Sequence, residues 1–168
     1  MNTIISTIPH RRGKLGYLLV PLFILSACAS PTAGPIENLA LYQTATASVF
    51  FVSASPWLSV DGETGSGWSP QAALPQWFQV DLGRAASIRE VRLLVNQPVS
   101  GRSVHAVWVG GNASDLTEVH RFDQVTRTGD WLVFSPATPL QGIRFVRIES
   151  LEGTEWVGWL EVQVLGVK

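Results

Sequence analysis

The 168-residue chain has one Cys, one Met and two Tyr, and only 15% of its residues are charged. The single Cys excludes a disulfide framework and any metal cluster held by thiolates alone. With 12 basic against 13 acidic side chains the sequence lacks the basic excess that nucleic-acid binding needs, so no nucleic-acid partner is expected. Its longest apolar stretch, residues 15–25, falls short of the ~20 residues that a membrane-spanning helix requires. It also lacks a Gly-x-Ser-x-Gly elbow, a His-Glu-x-x-His pair and a phosphate-binding loop, the usual signatures of several enzyme classes. What remains is a 46% apolar chain, too hydrophobic for disorder, with seven Trp. Its length suits one domain, which at about 150 residues buries about 70% of its unfolded surface.

Part of that composition belongs to a targeting segment. His10, Arg11, Arg12 and Lys14 form a positive region ahead of the short apolar run. Leu25-Ser26-Ala27-Cys28 then resembles the lipobox of bacterial lipoprotein precursors. That resemblance implies a signal peptide over residues 1–27 and a lipid on Cys28, followed by a flexible tether to residue 37. Removing residues 1–27 takes three of the 12 basic side chains and none of the 13 acidic ones, leaving a net charge of −4. A net-negative protein gains nothing from anionic lipid, so the membrane anchor would be the covalent lipid.

From Asn38 to Lys168 the pattern is that of an all-β domain. Phe78, Val80 and Leu82 alternate with Trp77, Gln79 and Asp81, and Leu160, Val162 and Val164 alternate with Glu161 and Gln163. Val104, Ala106 and Trp108 form a third alternating set, taken as core-facing, and Leu94 breaks the alternation of Val91, Leu93 and Val95 as a residue buried on both sides would. Turn signals separate these runs at Asp61-Gly62, Gln97-Pro98, Gly110-Gly111-Asn112, Thr128-Gly129-Asp130 and Glu152-Gly153. Many short strands without intervening helices predict an antiparallel β-sandwich of jelly-roll type.

Asn38-Leu39-Ala40, Val60-Asp61-Gly62 with Trp68, Trp77-Phe78-Gln79-Val80-Asp81-Leu82-Gly83 and Ile143-Arg144-Phe145-Val146-Arg147-Ile148 occur in an order that resembles a discoidin domain, the coagulation factor V/VIII C-type domain. The closing Leu160-Glu161-Val162-Gln163-Val164-Leu165-Gly166 completes the resemblance, which covers about residues 38–166 and extends to family 32 carbohydrate-binding modules. It implies a galactose-binding-like jelly roll, with Trp68 and Trp77 at core positions.

Residues 59–68 place oxygen-bearing Asp61, Glu63 and Ser66 on one glycine-rich loop, the hard donors that calcium takes. The family resemblance implies a structural calcium ion held by the Ser59 carbonyl, Asp61, Glu63, Ser66, the Leu160 carbonyl and Glu161. Glu63 stands where relatives usually have Asn or Asp, and Ser66 where Thr is more usual.

Loop Trp residues offer flat apolar faces on which a sugar ring stacks, while Arg, Asn and Glu grip its hydroxyls. Trp57, Asn96, Arg102, Arg127, Glu155 and Trp156 are the candidate ligand-binding residues, with Trp131 a further loop-edge Trp. Galactose-binding relatives often have His after the Trp at position 68; here it is Ser69, which points away from galactose itself. His105 on a strand and His120 beside Arg121 have no evident catalytic partner, and Glu149, Glu152 and Glu155 read as one solvated segment. The expectation is a non-catalytic module on a lipid-anchored bacterial envelope protein, facing the periplasm or the exterior and binding a glycan. The alternatives are a protein-interaction or envelope-structural module, with Phe50, Phe51 and Trp57 as a contact patch, and phospholipid contact through the same loop aromatics.

Overall fold

The computed structural model describes residues 34–168, so the signal peptide, Cys28 and most of the tether lie outside the described residues. Residues 34–36 are exposed and without regular structure. Eight strands follow: β1 (Glu37–Asn38), β2 (Thr44–Ala47), β3 (Gln76–Asn96), β4 (Gly101–Asn112), β5 (Asp115–Thr126), β6 (Trp131–Phe134), β7 (Leu140–Glu152) and β8 (Gly158–Val167). Two 3₁₀ turns, Val52–Ala54 and Pro56–Ser59, are the only helical elements among the described residues. Every strand pairing is antiparallel.

The architecture turns on β3. Its residues 76–81 pair with β7 and, from Phe78, with β2, whereas its residues 87–96 pair with β8 and, over 91–94, with β6; Ala86 and Ile88 at the corner still reach β7. Between the two stretches the register slips and Gly83 adopts φ +79°, a left-handed conformation that glycine takes without a steric penalty. Asp81 secures this corner by accepting the Gly83 N–H at 2.9 Å and ion-pairing with Arg144. The chain therefore forms one eight-stranded sheet folded over at β3 into two layers, β5-β4-β7-β3-β2 and β6-β3-β8-β1. This is the expected jelly-roll sandwich.

Between the layers lie Phe78 and Val80 of the first half of β3, Leu93 and Val95 of the second, Val107 and Val109 of β4, and Val162 and Val164 of β8. Trp68 and Trp159 are fully buried and bridge to each other through their backbones. Gly67 and Gly158 make that approach possible: a Cβ on either would stand 2.2 Å from the carbonyl oxygen of Trp159 or Trp68. Leu94 is buried as expected.

Two expectations need correction. On β4 the core-facing set is His105, Val107 and Val109, not Val104, Ala106 and Trp108. Val104 and Ala106 are nonetheless buried, so both alternating sets are apolar or concealed and the pattern alone carries no phase. Trp77 is not a core residue either. Strand alternation gives the interior to Phe78, which leaves Trp77 half-buried on the outer face beneath the guanidinium of Arg147.

Candidate functional site

One end of the sandwich gathers the loops between Trp68 and β3, between β3 and β4, between β5 and β6, and between β7 and β8. The registers fix this: Gln76 pairs with Ser150, Gly101 with Thr126, and Asn96 with Gly158. Asn96, Arg102, Arg127, Glu155 and Trp156 all lie at or near this end, but they do not share one concavity. Asn96 is half-buried at the end of β3. Arg102 lies on β4 and is held between two carboxylates, 2.7 Å from Asp123 and 2.6 Å from Glu152, which raise its pKa further and keep it charged. Arg127 is exposed on the β5–β6 turn and engages Asp130.

Glu155 and Trp156 do come together. With residues 71–74 they line a cleft of about 490 Å³ at this end of the fold. Thr154 ties the cleft to the neighbouring loop by donating to the Val99 carbonyl at 2.9 Å. Gln71 holds φ +43°, a strained conformation for a non-glycine residue and of the kind that clusters at ligand clamps. Residues 71–74 were absent from the sequence-based candidates, although Pro70 and Pro75 mark them as a loop. Trp57 does not line the cleft. It is exposed on the Pro56–Ser59 turn, as are Phe50, Phe51 and Val52 shortly before it in the chain.

The second feature lies beside β8. Glu161 is buried, 1% exposed, and neither carboxylate oxygen has a hydrogen-bond partner. Burial pushes its pKa up to about 7; the Gly62 N–H opposes this without reaching hydrogen-bond geometry, and the negative charges of Asp61 and Glu63 add to the rise. Such a carboxylate is costly unless a cation or donor meets it. The loop that carries Asp61, Glu63 and Ser66 packs against the same strand, since a Cβ on Gly67 would lie 2.5 Å from the Leu160 Cα. Asp61 accepts the Glu63 N–H at 2.9 Å. The Ser59 hydroxyl is already committed, donating to the Trp159 carbonyl and accepting the Trp68 N–H, so only its carbonyl is left for a ligand. Among the described residues no three His, Cys, Asp or Glu side chains converge closely enough to hold an ion by themselves. A cation here would therefore draw on backbone carbonyls as well as Glu161, and an all-oxygen set of that kind fits calcium.

Both described histidines pack against neighbouring side chains. His105 has hydrogen-bonding neighbours but no acidic one: Ser103 and Ser150 Oγ lie 2.9 and 3.2 Å from its ring nitrogens. It is wholly buried, and burial lowers its pKa to about 4, so this serine–histidine contact is neutral and closed to any substrate. His120 stacks on Phe134 with ring centroids 4.5 Å apart. Nor do the three glutamates form one solvated segment. Glu149 and Glu152 are strand residues, Glu152 is bound to Arg102, and only Glu155 lies in the loop.

No curated protein matches the sequence significantly. Solved structures do. A chitosan-binding module from a chitosanase/glucanase of Paenibacillus sp. IK-5 is 23% identical, with 77% of this chain and 99% of that chain covered at a TM-score of 0.65. The family 32 carbohydrate-binding module of C. perfringens NanJ, solved with galactose, is 16% identical, with 77% and 97% covered at 0.64. A fucose-binding module of Streptococcus pneumoniae is 20% identical, with 77% and 95% covered at 0.62. At these identities the likeness establishes the shared fold. The model of the F5/F8 type C family described as "NedA-like, galactose-binding domain" matches residues 58–148, more than half of the chain, and the protein is a member of that family.

Proposed function

We propose that the protein is a non-catalytic carbohydrate-binding module whose ligand sits in the cleft formed by Glu155, Trp156 and residues 71–74. The observation that carries this reading is the cleft itself: an indole, a carboxylate and a strained loop at the loop end of a fold whose similar structures include chitosan-, galactose- and fucose-binding modules. The indole supplies a stacking face and Glu155 accepts from sugar hydroxyls. That the similar structures include carbohydrate-binding modules supports the non-catalytic reading. A glycan array followed by calorimetry, with calcium present, tests the proposal. Trp156→Ala should weaken binding at least tenfold; no binding to any neutral or acidic polysaccharide overturns it.

The cation reading belongs to the same module. Calcium at Glu161, with Asp61, Glu63, Ser66 and the Ser59 and Leu160 carbonyls, would tie the loop to β8 and neutralise the buried carboxylate. Its role would be structural. A lipid on Cys28, six residues ahead of Gly34, would attach the domain through β1, which pairs with the far end of β8 from the cleft.

One observation favours a second reading. Phe50, Phe51, Val52 and Trp57 are all exposed within eight residues, an apolar surface suited to a protein partner or to lipid. Capture of an envelope protein that is lost in Trp57→Ala and indifferent to sugars would support the first. Vesicle binding by the protein without Cys28 would support the second.

A further inference from the structure

The outer face of the β3-β7-β4 layer carries another group of side chains, separate from the cleft. Trp77 stands opposite Glu149, and Arg147 stands opposite both Gln79 and Trp108. The Arg147 guanidinium lies 4.7 Å from the Trp77 ring centroid, and its Nε donates to the Gln79 Oε1 at 2.9 Å. Arg102, Arg121, Arg127 and Arg144 each pair with a carboxylate, whereas among the described residues Arg147, like Arg84 and Arg89, makes no ion pair. Glu149, two residues along the same strand, has neither an ion pair nor a side-chain hydrogen bond among the described residues, although both side chains are half-buried.

Two grooves flank Glu149. One of about 280 Å³ is lined by Trp108, Arg147, Glu149 and Ser114. The other, of about 180 Å³, is lined by Trp77, Glu149, Gln76 and Leu151. The Trp108 indole N–H is buried without an acceptor, an arrangement that costs folding free energy unless something completes it.

A donor-rich cation and an acceptor-only carboxylate, adjacent yet unpaired and flanked by two indoles, match a ligand that offers both hydroxyl hydrogens and oxygens beside an apolar ring face. A neutral pyranose has that surface. With one cation and one carboxylate side by side, the site has no net charge to favour an acidic or a basic sugar, and a lipid chain would leave both charges unanswered. We propose that these grooves form a second saccharide-binding site, on the outer face of the sheet, for neutral sugar units. It goes beyond the cleft reading and uses none of the cleft's residues.

The test follows indole N–H signals in the ¹⁵N-labelled full chain during titration with methyl galactoside and methyl fucoside. Trp108 and Trp156 signals are assigned by single Trp→Phe variants. At least one sugar should shift both. Glu149→Gln should weaken the Trp108 response at least tenfold while leaving the Trp156 titration intact, which also serves as a folding control. Arg147→Lys, which keeps the charge but loses the planar stack, should do the same. A response at Trp108 alone supports the outer-face site and removes the cleft's assignment. A response at Trp156 alone overturns the outer-face site and leaves the cleft standing. No response at either indole overturns both, and a Trp108 response indifferent to both variants overturns the outer-face assignment.

Discussion

His105 and Glu161 are the two ionisable side chains that this fold buries completely among its described residues, and they differ in their company. Burial drives both toward neutrality, lowering the pKa of one to about 4 and raising that of the other to about 7. Ser103 and Ser150 complete the hydrogen bonding of His105, whereas nothing completes Glu161. A buried polar group with all its partners is part of the core; one without them marks a place where something else belongs.

The largest effect that could break this contrast concerns acid. His105 is neutral when folded and titrates near its ordinary value of 6.5 when unfolded. Between those values the unfolded chain holds a proton that the folded one does not. The contribution is thus complete above pH 6.5 and is lost as pH falls toward about 4, by up to about 3 kcal/mol. Denaturant titrations across this range should show His105→Gln with a flatter acid limb than the wild type; parallel limbs would mean that His105 is already charged in the core.

Calcium comes next. At a concentration 100 times its dissociation constant, a ligand bound only to the folded state adds about 2.7 kcal/mol. Chelator should therefore lower the melting temperature by several degrees, and Glu161→Gln should abolish the difference. An unchanged melting curve, together with no metal by elemental analysis, would place Glu161 in the same structural class as His105.

The smallest effect sharpens the other half of the contrast. Ser150→Ala removes one hydrogen bond to the His105 ring and should cost about 1 kcal/mol in chemical denaturation. The calcium response should not change, because Ser150 and the loop of residues 61–66 lie on different elements.

Much of the fold was legible because alternation along a strand is a local property. Phe78 and Trp77 had to face opposite ways, and the turn residues separated one strand from the next. Phase was harder. Val104 and Ala106 are buried on the outside of β4, so their apolar pattern mimicked a core face. The site was less legible still, because its content is pairwise and long-range. Nothing near Arg102 in sequence announces that Glu152, fifty residues on, will occupy it. The cleft needs residues 71–74 beside Glu155 and Trp156, a meeting that the registers of β3, β7 and β8 bring about. Glu161 was marked by family resemblance, but only its burial in three dimensions exposes the missing partner.

That β3 belongs to both layers has a kinetic consequence. Both layers draw on β3 for their hydrogen-bonded ladders, because the same strand supplies a partner to β2, β6, β7 and β8. Those pairings join segments far apart in sequence, and loop closure must precede their reward, so folding belongs to the slow, milliseconds-to-seconds regime of β-sandwiches. Loss of β3 pairing would release both layers together. The amides of Val80 and Leu93, in opposite halves of the strand, should then exchange with solvent in one cooperative event rather than two.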